Sequence, residues 1–156
     1  MTASNVRTYT VCVRNNEASR VAVKMACIKA KNHGGQVKVV HVIPPTDGQT
    51  LFMVADRLKD EQRLESEQYI QEMCDAAYSL TGLMPSIDIR EGVVEEEILK
   101  AVNDENDNTI LMVLGMDKEA HSNLIEQLSE QMGHKLFIPI MIVPGNLTDE
   151  QIQGII

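Results

Sequence analysis

The stretch Thr109–Gln131, TILMVLGMDKEAHSNLIEQLSEQ, changes character at its seventh residue. Thr109 to Leu114 is a continuous β-branched and apolar run of strand length, the pattern of a strand covered on both faces. After Gly115 the chain turns polar, and from about Ser122 to Lys135 an apolar stripe at helical spacing returns through Leu124, Ile125, Leu128 and Met132. A buried strand feeding directly into a helix is half of a β-α-β unit.

Four more runs of the strand type recur: YTVCV (Tyr9 to Val13), VKVVHVI (Val37 to Ile43), SIDIR (Ser86 to Arg90) and IPIMIV (Ile138 to Val143). Helical signals separate them. The first, from about Glu17 to Asn32, carries Val21, Met25 and Ile28 on one face and stops at His33-Gly34-Gly35. The second, from about Val54 to Leu80, places Leu58, Tyr69, Ile70, Met73, Ala77 and Leu80 against a charged face. The third, Val93 to Val102, has Ile98, Leu99 and Val102, and Glu95 to Glu97 at its start complement the helix dipole.

Strict alternation of strands and helices predicts right-handed crossovers and an α/β fold with a parallel sheet covered on both faces. TILMVL and VKVVHVI are the expected inner strands, and the alternating SIDIR is the expected edge. Residues 1–145 read as one domain, with 146–156 as a C-terminal tail. Thr148 and Gln151 form a possible capping box in that tail, and Ile152, Ile155 and Ile156 need cover from the domain or from a partner chain. The sequon Asn146-Leu147-Thr148 reads as chance, since nothing suggests secretion.

Composition narrows the function. Fourteen basic residues against 23 acidic ones give a net charge of −9, a field that repels nucleic acid and anionic bilayers. No apolar run approaches the roughly 20 residues that span a membrane, and MTASNVR lacks a signal-peptide core, so the expected localisation is cytoplasmic. Cys12, Cys27 and Cys74 are widely spaced and read as buried thiols rather than metal ligands, and the four histidines have no pairing of ligand type. His41 lies inside a strand run and reads as a hydrogen-bonded structural histidine. His121 would matter only if a second group converged on it, and no activated nucleophile is evident. Met112, Met116, Met132 and Met141 fill out a core that has only 3% aromatic residues.

Where the first strand meets its helix the chain reads Arg14-Asn15-Asn16. Either asparagine would cap the helix, with Arg14 solvated. Alternatively Arg14, with Lys118, binds a small anion or carboxylate. A response-regulator receiver would need an acidic pair here, and a flavodoxin a hydroxyl- and glycine-rich loop, so both readings fail.

Taken in order, TYTVCV, the small-residue helix ASRVAVKMACIKAKNHGGQ, VVHVIPP, REGVVEEEILKA, DNTILMVLG and SEQMGHKLFIPIMIVPG resemble the universal stress protein family over nearly the whole chain. The resemblance implies an open five-stranded sheet of order 3-2-1-4-5, of the adenine-nucleotide α-hydrolase-like type. It also implies a homodimer built through the last strand, here Ile138, Ile140, Ile142 and Val143, and a role in stress resistance. Many members bind ATP at the C-terminal ends of the strands through G-x-x-G-x9-G-[S/T], whose glycines admit phosphates close to the backbone.

This chain keeps Gly115 and then departs from that motif. Lys118 takes the second glycine position, and Glu126-Gln127 fall where the last glycine and its hydroxyl partner belong. Arg14 replaces an acid that the family usually sets against the nucleoside, and a guanidinium cannot accept a hydrogen bond. The expectation is a non-enzymatic homodimeric regulatory protein without a cofactor. Its nucleotide cleft, Arg14, Val42, Gly115, Lys118 and Ser122, is then a vestige, and protein partners are open. The alternative is an ATP- or AMP-binding member in which Lys118, Ser122 and backbone amides after Gly115 replace the lost glycines. A third possibility is a subunit that works only beside another stress protein.

Overall fold

The computed structural model describes residues 6–45, 52–116 and 135–155. Lys118, His121, Ser122, Glu126 and most of the expected fourth helical segment lie outside the described residues. In chain order the elements are β1 (Thr8–Cys12), α1 (Glu17–His33), β2 (Gln36–Ile43), α2 (Phe52–Thr81), β3 (Ser86–Glu91), α3 (Val94–Val102), β4 (Thr109–Met116), β5 (Ile140–Pro144) and α4 (Asp149–Ile155).

The strands form one parallel sheet of order β3-β2-β1-β4-β5. The two strands expected to lie inside, β2 and β4, do so, and SIDIR is an edge as its alternation requires. Pro139 precedes β5, which is the other edge. There its missing N–H breaks no ladder, while its carbonyl accepts from Met112 N at 3.1 Å.

Side chains alternate across the sheet and so build two cores. Val11, Val39 and Val113 face α1 and α2, joining Ala22, Val23, Ile70, Met73 and Ala77. Cys12, Val40 and Leu114, each one residue further on, face α3 and pack with Ile98, Ala101 and Val102. Ile70 and Met73 are fully buried, so truncating either to Ala costs about 2–5 kcal/mol.

Both ends of the chain's helical parts are fixed by local chemistry. Asn16 Oδ1 accepts from Ser19 N at 2.8 Å, which starts α1, and Gly34 ends it in a left-handed conformation (φ 79°). In the tail, Thr148 N donates to Gln151 Oε1 at 2.9 Å while Gln151 N donates to Thr148 Oγ1 at 3.2 Å, the reciprocal capping box that the sequence suggested. The cover for Ile152 comes from its own domain: it is fully buried in the α1/α2 core, and Asp149 pairs with Lys24 of α1 at 2.9 Å. Ile155 stays 60% exposed. Among the described residues no helix is long and apolar enough to cross a membrane.

Candidate functional site

Strand order reverses between β1 and β4, since β1 connects outward to β2 while β3 returns to β4. Ligands of open α/β sheets bind at such a switch, beyond the C-terminal ends of the strands. A cleft of about 350 Å³ opens there. Its floor is apolar, formed by Cys12, Val40, Val42, Ile98 and Leu114, and Arg14 lines it from the turn between β1 and α1.

That turn is tightly built. Val13 N extends the ladder by donating to Val40 O at 2.9 Å, Arg14 N donates to Ser19 Oγ at 2.8 Å, and Asn16 N donates to Arg14 O at 2.9 Å. Asn16 is therefore the capping residue of the two asparagines, and its capping bond fixes the start of α1 beside half-buried Arg14.

His41 stands beside this turn as a strand histidine whose ring is fully engaged. Nδ1 lies 2.9 Å from Val13 O and must donate to it; the Tyr69 hydroxyl lies 3.2 Å from Nδ1 and 3.1 Å from Nε2, and of the two only Nε2 has a lone pair left to accept from it. The rings meet edge to face with centroids 5.6 Å apart. Burial pushes the His41 pKa below 6.5, outweighing the bond to Val13 O, and nearby Arg14 pushes the same way. Burial likewise raises the Tyr69 pKa, so both groups are neutral near pH 7. His41 also borders a shallower cavity of about 200 Å³, lined by Glu65, Ser66 and Tyr69 on the α2 side.

The Cys12 thiol is no nucleophile. Burial pushes its pKa up to about 12 against the lowering effect of Lys38, and its Sγ lies 3.7 Å from Met112 Sδ. Cys27 and Cys74 are fully buried in the other core. No cluster of three or more His, Cys, Asp or Glu side chains suited to a metal occurs among the described residues.

Gly115 has a structural explanation. A Cβ built on it would lie 2.2 Å from Ala18 O and 2.4 Å from Ala18 C, so β4 approaches the first turn of α1 too closely for any side chain. Gly145 meets the same residue, with Ala18 Cβ at 2.8 Å. The glycine that sequence reasoning attached to a ligand is demanded by packing, and the small residue Ala18, which marks that packing, was missed. Tyr69 was taken only as part of an apolar stripe, and its bond to His41 had no signal at local spacing.

Of the expected cleft residues, the fold brings Arg14, Val42 and Gly115 together; Lys118 and Ser122 lie outside the described residues. The expected interface residues divide. Ile138 and Ile140 pack partly against the α3 core, Ile142 is 42% exposed, and Val143 is buried in its own chain's α1/α2 core. Val143 is thus committed to its own fold rather than to the outer surface of the edge strand.

A family model described as the universal stress protein family matches residues 5–144. No curated protein matches significantly. Among solved structures, the universal stress protein UspA from Lactobacillus plantarum superposes with a TM-score of 0.72 at 14% identity, over 90% of this chain and 99% of that one. A universal stress protein family member from Burkholderia pseudomallei gives 0.67 at 17%, covering 88% and 95%. The universal stress protein from Archaeoglobus fulgidus in complex with dAMP gives 0.62 at 18%, covering 88% and 97%. At these identities the structural likeness establishes a shared fold.

Proposed function

We propose, from the premise that this chain belongs to the universal stress protein family, that it is a non-enzymatic, homodimeric, cytoplasmic regulatory protein whose cleft has lost ATP binding. The observation that carries this reading is Arg14. It is the one cation among the described cleft residues, it stands where the family resemblance puts an acid, and His41 beside it is neutral and fully engaged. Gly115 lends the ATP reading no support, because Ala18 accounts for its missing side chain.

Loss of a polyphosphate site also fits the charge of the chain. A net charge of −9 and Glu17 in the first turn of α1 oppose a ligand carrying several negative charges. The test is native purification followed by mass spectrometry of released small molecules. The expected result is no nucleotide, and stoichiometric ATP would overturn the reading.

One observation favours a second reading, a nucleoside monophosphate binder. The cleft keeps a volume and an apolar floor suited to a flat ring, and the Archaeoglobus relative is described with dAMP. Titration with AMP separates the two.

The dimer is supported by β5 being a sheet edge with Ile142 exposed and Phe137 beside it 85% exposed, since an apolar edge left open invites pairing. Ile142→Asp should shift the mass in solution to monomer; an unchanged dimer would place the interface elsewhere.

A further inference from the structure

We propose that the cleft at the ends of β1, β2 and β4 receives an uncharged apolar small molecule, seated between the strand floor of Cys12, Val40, Val42 and Leu114 and the side chains of Val94 and Ile98 on α3. This rests on the reading that the cleft no longer holds ATP, and it names the ligand class that the same walls fit instead.

The polar groups that the strands and the β1–α1 turn bring to the cleft are already bonded within the chain. Val13 O accepts from His41 Nδ1 at 2.9 Å, and the Tyr69 hydroxyl satisfies Nε2. Val40 O accepts from Val13 N and Arg14 O from Asn16 N, each at 2.9 Å, while Arg14 N donates to Ser19 Oγ at 2.8 Å. The Cys12 thiol, kept neutral by burial, lies against Met112 Sδ. A ligand rich in hydrogen-bonding groups would lose its hydration there without replacement bonds, a cost that an alkyl or aryl body does not incur.

Neither sign of charge suits the site. Arg14 has an interaction of its own, so its charge is already engaged, and His41 adds no positive charge because burial and Arg14 both oppose its protonation. The net charge of −9 further opposes an anion. A cation fares no better: no carboxylate is among the described residues that line the cleft, and Arg14 repels it.

The walls supply the attraction. Cys12, Val40, Val42, Ile98 and Leu114 are buried members of the core that α3 closes, and Val94 packs against it. Water between such walls has few partners, so an apolar group that displaces it gains. A cavity of about 350 Å³ is near the small end of ligand sites and takes a body of several carbons. Each methylene buried should tighten binding about three- to fourfold.

The test compares octan-1-ol with octanoate and octylammonium, which share a chain and differ in charge, and with hexan-1-ol, by calorimetry on the wild type. Methyl NMR of Val40, Val42, Ile98 and Leu114 reports where each probe sits. Octan-1-ol should bind one per chain, shift those methyls, and bind about tenfold more tightly than hexan-1-ol. Octanoate and octylammonium should each bind at least about tenfold more weakly than the alcohol. Val94→Phe, which fills the cleft from a half-buried position on α3, should weaken octan-1-ol by about tenfold or more. If that variant fails to fold, the charge and chain-length series on the wild type still decides. Either ion binding as tightly as the alcohol, equal binding of the two alcohols, or shifts confined to other methyls would overturn the proposal. ATP is titrated on the same sample. If neither ATP nor octan-1-ol binds, the apolar ligand falls while the loss of ATP stands; if ATP binds at the same methyls, both fall.

Discussion

The two ends of the sheet treat a cation in opposite ways. At the N-terminal end, Lys38 is buried and its amine is bonded to Ala101 O at 3.0 Å and to Asp107 Oδ2 at 2.5 Å. Around it Thr10 and Thr109 join their hydroxyls at 2.8 Å, Thr8 Oγ1 donates to Asp107 O, and Gln36 Nε2 donates to Thr8 Oγ1 at 3.0 Å. At the C-terminal end, Arg14 lines a cleft with an apolar floor. A buried charge surrounded by bonded partners holds structure together, whereas the cation at the other end is half-buried and borders an open cleft.

Substitution at each end should therefore change different properties. The largest effect is expected at Lys38. Lys38→Met leaves Asp107 unpaired and should cost about 2–3 kcal/mol, below the range for a fully buried pair because Asp107 is 33% exposed. Denaturant titration measures it, and pairing the change with Asp107→Leu should recover most of the loss. A near-neutral Lys38→Met would erase the contrast.

Gly115→Ala comes next, at about 1–3 kcal/mol, because β4 or the first turn of α1 must shift to admit a methyl group. A neutral substitution would return Gly115 to the ligand reading.

Smaller still is Tyr69→Phe, which removes one bond to His41 and should cost about 1 kcal/mol. His41 also gives this end a pH signature. Its folded pKa lies below 6.5, so on acidification the unfolded chain takes up the proton first. Its contribution is complete above pH 6.5 and is lost as pH falls through the folded value. His41→Gln should flatten that part of the stability profile. In alkali the thiols act oppositely: Cys12 and Cys27, raised from 9.0 to about 12, and Cys74, raised to about 11, favour folding below pH 9.0 and lose that effect as pH climbs toward those values.

The fold was legible because it rests on periodicity, and alternation of apolar runs with amphipathic helices survives without any knowledge of contacts. The capping box at Thr148 and the edge position of Ser86–Glu91 were readable for the same local reason. The site was only partly legible. Arg14, Val42 and Gly115 could be placed at strand ends, but the packing of Gly115 on Ala18 could not be read, because the two lie 97 residues apart in sequence. Lys38 and Asp107, or His41 and Tyr69, meet only when strand register brings them together, and no spacing rule announces such pairs.

The smallest stability change is expected at Arg14. Arg14→Gln should move unfolding by about 1 kcal/mol or less, since Arg14 is half-buried and belongs to neither core. A large loss of stability would make Arg14 a structural cation like Lys38.

The first measurement is calorimetric titration of the purified wild-type protein with ATP in the presence of magnesium. No heat of binding up to millimolar ATP is the expected result, consistent with a cleft built around Arg14 and a glycine fixed by Ala18. Micromolar binding would contradict it and make this chain a nucleotide-binding member of its family.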